Sequence, residues 1–204
     1  AAGMAQHWNP ENLASLDRDA AVSMSQTLLQ NQVKGANAAI FAAAQNNADC
    51  QGMGTTLVAA LFYDDFMTVA HAGDSRLYRL RGDEFQQITR DHSLLQEQID
   101  SGMIRKEDAH LSNNRNFVTR AVGVDAQVEA EIHTYDVQVG DLYLICTDGL
   151  FGLVADEEIH MTLGALKANL SLAAQQLISA ANDAGGNDNV SVILVRVMTS
   201  FAAK

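Results

Sequence analysis

The chain has 204 residues, of which 48% are hydrophobic and 19% charged, which excludes a disordered chain. The length suits one domain or at most a tightly joined pair, and a single domain spanning 1–204 is predicted. Its formal net charge of −12 argues against nucleic acid or a membrane surface as the main partner, because both attract clustered Lys and Arg. No apolar stretch approaches the roughly 20 residues of a membrane span. The two cysteines, Cys50 and Cys146, form no CxxC pair and predict a reducing cytoplasmic environment.

The predicted elements begin with one long helix over residues 17–46, where apolar residues recur near helical spacing. Four short segments rich in β-branched and aromatic residues follow. The turns between them are too short to join parallel strands, so the sequence predicts an antiparallel meander. The four segments are residues 55–62, 66–72, 76–80 and 84–88.

The second half of the chain adds helices and further strands. A helix is predicted after Ser93, with Gln96 as its capping-box partner and Gly102 at its end, and residues 104–116 are predicted to be a mobile surface segment. Strands are then predicted at 130–135, 141–147 and 190–197, and helices from an N-cap at Asp156 and over 171–184, where Leu172 and Leu177 share the apolar face. Helices at both ends with strands between them predict an α+β fold whose sheets are covered by helices.

Three aspartates at strand ends, each close to a glycine, are the candidate metal ligands. Asp74 and Asp148 follow predicted strands, and Asp188 precedes the last strand. Carboxylates on rigid strand ends, without Cys or paired His, suit a hard cation such as Mg²⁺ or Mn²⁺. Each aspartate taken singly also fits an ordinary turn, and that alternative stays open. Asp74 lies at a glycine turn, so its side chain need not be buried.

Other chemistries find little support in the sequence. It contains neither the GxxxxGK[ST] pattern of a P-loop nor a GxSxG nucleophile elbow. His71 alternates within a strand, and His92 stands at a helix start, where a capping or packing role is expected.

Six motifs share an order and a spacing that point to one family. They are GTT at 54–56, GDSRLY at 73–78, ITRDHS at 88–93, TRAVG at 119–123, CTDGL at 146–150 followed by DEEI at 156–159, and GGNDN at 185–189. Together they resemble the bacterial PP2C-type (PPM family) metal-dependent serine/threonine protein phosphatases, over residues 52–197.

The resemblance implies a four-layer α-β-β-α sandwich, with two antiparallel sheets flanked by helices and a metal cleft at one edge. It implies that Asp148 and Asp188 hold the first of two to three Mn²⁺ or Mg²⁺ ions, and that Asp74 shares a further ion with Asp148. Residues 94–116 would be a flap beside the cleft that influences substrate choice. In this family the metal ions activate water to attack phosphorus.

The N-terminal metal motif of the family is degenerate in this chain. Gly3 aligns with a backbone ligand of the metals, and His7 aligns with the residue expected to protonate the leaving oxygen. Ala2 stands where the family has the aspartate that bridges two metals, and the segment that precedes the motif in relatives is expected to be lacking. An engineered change, a truncated chain and natural divergence all remain open as explanations.

Two functions therefore remain. The first is a phosphatase that acts on phosphoprotein substrates of a Ser/Thr kinase, as a cytoplasmic monomer that binds at least one Mn²⁺ or Mg²⁺ and engages neither nucleic acid nor a membrane. The second is a catalytically inactive domain of the same fold, a pseudophosphatase, that acts as a regulatory or phosphoprotein-binding module. The loss at Ala2 predicts very slow turnover by the chain as it stands.

Overall fold

The computed structural model describes residues 16–112, 114 and 117–202. The helices are α1 (Arg18–Asn46), α2 (Leu94–Asp100), α3 (Asp148–Phe151), α4 (Asp156–Leu166) and α5 (Leu170–Asp183), with 3₁₀ turns at Ala48–Cys50 and Lys106–Leu111. The strands are β1 (Leu57–Tyr63), β2 (Phe66–Ala72), β3 (Arg76–Arg81), β4 (Glu84–Gln87), β5 (Glu131–Asp136), β6 (Leu142–Cys146) and β7 (Val192–Arg196). This order of helices and strands is that of an α+β fold, as predicted.

The chain divides into two compact units, each built on one antiparallel sheet. Among the described residues, the first unit takes those up to Gly73, those from His92 to Val137 and those from Ser200 onward, and its sheet has the order β1-β2-β5. The second unit takes Asp74–Asp91 and Gln138–Thr199, and its sheet has the order β4-β3-β6-β7. Each unit therefore contains strands that are distant in sequence.

In the first unit, α1 supplies the apolar layer that packs on the sheet. Asp17 caps its N-terminus by accepting a hydrogen bond from the Ala20 N–H at 2.9 Å. Leu29 and Val33 of α1 form one buried cluster with Ala70 of β2 and its neighbours, and small strand residues let a helix approach closely. The prediction of one long helix over 17–46 is confirmed.

In the second unit, β6 lies between β3 and β7, and α4 and α5 pack against this sheet. Leu144 of β6, Ile159 of α4 and Leu177 of α5 are fully buried in one cluster. Cys146 ends β6 in the same cluster as a buried free thiol, and burial raises its pKa to about 12. This core holds the C-terminal end of β6 in place, which matters because Asp148 follows Cys146 after one residue, Thr147.

The predicted four-strand meander is wrong at its middle. The β1–β2 and β3–β4 hairpins are antiparallel as expected, but β2 and β3 belong to different sheets. Gly73 allows the change of direction with φ +111°, and a Cβ there would lie 2.4 Å from the Thr56 methyl carbon. The second neighbours of β2 and β3 are β5 and β6, which turn lengths alone cannot reveal.

Two smaller expectations also change. Asp156 is the first residue of α4 rather than its cap, because Ala155 takes the extended N-cap conformation. Leu172 is 38% exposed, so the buried stripe of α5 is formed by Ala173, Leu177 and Ala181 instead. Across the described ranges, none of the helices is both long enough and apolar enough to cross a bilayer.

Candidate metal centre

The end of β6 is fastened to the segment that precedes β7. The Thr147 N–H donates to the Ser191 carbonyl at 3.2 Å, and the Ser191 N–H donates to Thr147 Oγ1 at 3.1 Å. Thr147 Oγ1 in turn donates to the Asn189 carbonyl at 3.1 Å. These bonds bring together the segments that carry Asp148 and Asp188.

Gly149 completes this junction because it has no side chain. A Cβ at Gly149 would lie 2.4 Å from the Asn189 carbonyl oxygen, which is closer than real Cβ contacts permit. Asp188 is exposed, and its Oδ1 accepts the Asn189 N–H at 2.6 Å. Asp148 is half-buried at the first position of α3. The two predicted ligands thus stand on neighbouring backbone segments of the second unit.

Asp74 is the most perturbed carboxyl group of this region. The residue is buried, at 7% exposure, although its position at a glycine turn did not require burial. Burial and then the charge of Asp148 raise the pKa of Asp74 to about 6, with a smaller contribution from Asp91. Asp74 and Asp148 are therefore close enough for their negative charges to repel.

Arg76, the cation nearest in the chain to Asp74, offsets this repulsion only in small part. Arg76 grips Asp91 through Nε at 2.9 Å and Nη2 at 2.7 Å, donates from Nη1 to the Tyr78 hydroxyl at 2.8 Å, and stacks over the Phe151 ring at 3.7 Å. Burial works against the charged form of Arg76, but the bonds to Asp91 prevail, and its pKa lies above the usual value. The hydrogen bonds of Arg76 go to Asp91 and Tyr78, and its charge lowers the pKa of Asp74 less than burial and Asp148 raise it.

The residues present fit a divalent cation. A buried carboxylate beside a second one, without a committed positive partner among the described contacts, is an arrangement that a bound Mg²⁺ or Mn²⁺ would stabilise. The oxygen-only donor set of Asp74, Asp148 and Asp188 is the type that hard cations prefer. The predicted site residues Gly3 and His7, with Ala2, lie outside the described residues.

A second group of polar side chains, in the first unit, was missed by the sequence reasoning. His71, His92 and Glu131 bring ligand-type atoms within 4.8 Å of one another. The signal is not local: His71 and Glu131 become neighbours only because β2 and β5 pair with these two residues in register. Sequence reasoning treated both histidines as packing or capping residues and gave Glu131 no role.

Other family motifs have structural tasks in the first unit. Thr55 and Val122 exchange two backbone hydrogen bonds of 2.9 and 2.8 Å. The Gly123 N–H donates to Asn37 Oδ1 at 2.7 Å, and a Cβ there would lie 2.1 Å from an Ile40 methyl carbon. The motifs at 54–56 and 119–123 therefore fix the backbone beside α1.

Solved structures with the same fold show the class of protein to which this chain is similar. The fold matches the crystal structure of the Mycobacterium tuberculosis serine/threonine phosphatase PstP/Ppp with a TM-score of 0.81 and 37% identity, over 85% of this chain and 73% of that chain. A structure of the PstP catalytic domain in complex with two manganese ions matches with a TM-score of 0.78, 37% identity, and coverage of 85% and 72%. The predicted PP2C-like fold is confirmed.

Similar sequences show the family of the chain. The model of the protein phosphatase 2C family matches residues 1–184. The serine/threonine phosphatase stp of Listeria innocua is 40% identical over 170 residues, which is 83% of this chain and 67% of that protein. The chain belongs to the protein phosphatase 2C family, as the six motifs indicated.

Proposed function

We propose that this chain is a metal-dependent protein serine/threonine phosphatase that hydrolyses phosphoserine and phosphothreonine. The observation that carries the proposal is the repelling pair of carboxylates, Asp74 and Asp148, with Asp188 on the segment that is hydrogen-bonded to Thr147 beside Asp148. Relatives named as serine/threonine phosphatases support it, and one of them is seen with two manganese ions. Nothing in the comparisons favours the pseudophosphatase alternative.

In this proposal Asp148 and Asp188 hold one cation, and Asp74 joins Asp148 at a further one. When bound, the cations would lower the pKa of coordinated water and offset the roughly two negative charges of a substrate phosphate. That offset is essential here, because the chain carries a net charge of −12 and would otherwise repel the substrate.

The protein residues contribute positioning. With a pKa of about 6, Asp74 is largely ionised at neutral pH and can act as a ligand. The hydrogen bonds of Thr147 hold the Asp148 and Asp188 segments together before any cation binds. Gly149 has no side chain and so leaves room for the two segments to approach. A preorganised ligand set of this kind needs little rearrangement on binding.

Two further roles rest on the resemblance alone. We propose that Gly3 offers its backbone carbonyl to the metals and that His7 protonates the leaving Ser or Thr oxygen. The finer assignments of a Ser/Thr kinase as the opposing enzyme, a monomeric state and a cytoplasmic location are also proposals. The free thiols of Cys50 and Cys146 are consistent with a reducing compartment.

The test is Mn²⁺-dependent turnover of a phosphothreonine peptide, measured for this chain and for Ala2→Asp. We expect slow turnover by the chain as it stands and a rate at least about a hundredfold higher in Ala2→Asp, because an added carboxylate supplies the bridging ligand of the family. Addition of EDTA should abolish both rates. Failure of Ala2→Asp to show any metal-dependent turnover would contradict the proposed function.

A further inference from the structure

His92 and Gly73 hold each other through two hydrogen bonds. The His92 N–H donates to the Gly73 carbonyl at 2.9 Å, and the Gly73 N–H donates to the ring nitrogen Nδ1 of His92 at 3.2 Å. The His92 side chain is only 10% exposed, and its ring stacks on that of His71 with centroids 4.7 Å apart. The residue after β2 is thus bound by both the backbone and the side chain of His92.

This geometry fixes the proton on the His92 ring. Because Nδ1 accepts from Gly73, a neutral ring must carry its hydrogen on Nε2, which faces Glu131 Oε2 at 3.4 Å. Arg120 Nη1 lies 3.2 Å from Nε2, but a guanidinium can only donate, so it cannot bond to a protonated Nε2; its donor bond goes to the Glu129 carbonyl at 3.0 Å. Burial, then Arg120 and His71, lower the pKa of His92, so the neutral form prevails at neutral pH.

The same proton placement argues against a metal ion bound by His92, His71 and Glu131. Coordination through Nε2 would move the hydrogen to Nδ1, where it would face the Gly73 N–H donor. Arg120 would also place a fixed positive charge beside the ion. The cluster is therefore better suited to a positional role than to metal binding.

His92 also stands where the two ends of the segment 94–116 meet. The Leu94 N–H donates to the Phe117 carbonyl at 2.9 Å, and the Thr119 N–H donates to the His92 carbonyl at 2.9 Å. Ser93 forms a bridge with Val118 between these two bonds. Whatever fixes His92 thus fixes the stem from which this segment extends.

We propose that His92 is a positioning residue for substrate selection, acting through a clamp formed by its two hydrogen bonds with Gly73. The clamp joins the end of β2, directly before Asp74, to the stem of the segment 94–116, which the family resemblance assigns to the substrate-selecting flap. The consequence for substrate choice rests on the proposed function. The clamp itself does not, and it can be measured without turnover.

Two substitutions of His92 test the roles of its two ring nitrogens separately. His92→Asn keeps an acceptor near the position of Nδ1, whereas His92→Gln places its amide at the depth of Nε2 and loses that acceptor. We expect amide hydrogen exchange at Gly73 and in α2 to be about tenfold faster in His92→Gln and within about threefold of the parent in His92→Asn, since one hydrogen bond is lost only in the former. His133→Gln is the matched control, because His133 contacts Glu131 at 2.9 Å on the exposed side of the cluster.

Equal exchange in the Asn and Gln variants, or the same acceleration in His133→Gln, would overturn the clamp. In the Ala2→Asp background, His92→Gln should raise the KM for a phosphopeptide about fivefold or more while leaving the KM for p-nitrophenyl phosphate nearly unchanged, because a small substrate has little to gain from a positioned segment. Faster exchange with an unchanged phosphopeptide KM would overturn the link to substrate selection. Absence of turnover would count against the proposed function, whereas the exchange data would still decide the clamp.

Discussion

The carboxylate of Asp74 is held in surroundings that oppose its charge. Burial and the neighbouring Asp148 both raise its pKa, while Arg76 is engaged with Asp91. Carboxyl groups whose pKa is shifted by burial and by a neighbouring charge cluster at functional sites. The metal-free protein therefore carries local repulsion that a cation would remove.

Substitution of Asp74 by Asn should separate the metal-ligand role from a turn role. Removing the charge relieves the repulsion, so we expect the metal-free Tm at pH 7.5 to stay equal or rise by a few degrees, and the gain in Tm on adding Mn²⁺ to shrink. Thermal denaturation with and without Mn²⁺ measures both. Asp83→Asn, at an exposed glycine turn after a strand, is the control and should change neither. A large loss of metal-free stability in Asp74→Asn would favour the turn alternative.

For single residues, the sequence predicted where candidate ligands lie along the chain but not what surrounds their side chains in the fold. Strand ends and glycines were enough to select Asp74, Asp148 and Asp188, because those features are local. The burial of Asp74 and the contact of His92 with Gly73 depend on segments far apart in the chain. Neither could be derived from spacing.

Among the elements, the α3 junction depends on a glycine with no room for a side chain. In Gly149→Ala the added methyl group would meet the Asn189 carbonyl oxygen, so the Asp188 segment must move away from Asp148. We expect Mn²⁺ affinity, measured by calorimetry, to fall by about tenfold or more. Gly164→Ala in α4, where an added Cβ would meet no atom of another described segment within 4 Å, should leave affinity unchanged and stabilise the helix by about 0.5–1 kcal/mol. Unchanged Mn²⁺ affinity in Gly149→Ala would contradict the role of the junction.

An ion pair between the partly exposed Arg81 and the buried Asp141 joins the end of β3 to the start of β6. Arg81 donates to Asp141 from Nε at 2.7 Å and from Nη2 at 2.6 Å, and Asp141 also accepts from the Tyr143 hydroxyl at 2.9 Å. Burial of Asp141 opposes ionisation, but the bonds from Arg81, the Gln138 N–H and Tyr143 outweigh it, and the pKa of this carboxyl lies below its usual value.

The sign of the pH effect follows from that shift. Because the folded pKa lies below the unfolded one, the stabilisation is complete above about pH 5 and is lost as the pH falls through the folded value. Asp141→Asn should be about 2 kcal/mol less stable at pH 7 and should lose less stability on acidification than the parent protein. Urea denaturation at several pH values measures this. Asp136→Asn removes an exposed pair with Arg18 and should have little effect, whereas equal acid sensitivity of Asp141→Asn and the parent would refute the assignment.

Local patterns were sufficient to predict most elements but not their assembly. Helical spacing predicted α1 and α5, and turn residues predicted both hairpins, because those signals lie within one stretch of chain. The division into two sheets depends on pairings such as Leu77 with Ile145. The resemblance to a known family, rather than periodicity, supplied the expectation of two sheets.

For the molecule as a whole, we expect metal binding to raise the free energy of unfolding. A cation that binds only the folded chain raises the free energy of unfolding by about 2.7 kcal/mol at a concentration one hundred times its Kd. We therefore expect Tm to rise with the logarithm of Mn²⁺ concentration and to return on addition of EDTA. Asp148→Asn should abolish most of this rise, and Asp183→Asn, on an exposed carboxylate at the end of α5, should not. An identical rise in Asp148→Asn would remove Asp148 from the ligand set.

The interleaving of the two units has a consequence for synthesis on the ribosome. The first sheet needs β5, which follows residue 130, although β1 and β2 emerge much earlier, and the second needs β7 near the end of the chain. Neither unit is one continuous stretch of chain, so neither can be completed before part of the other has been synthesised. Nascent β2 and β3 must remain without their later partners during translation, and such unpaired strand edges are prone to aggregate. The newly made chain is therefore exposed to aggregation until β5 and β7 have been synthesised and can pair.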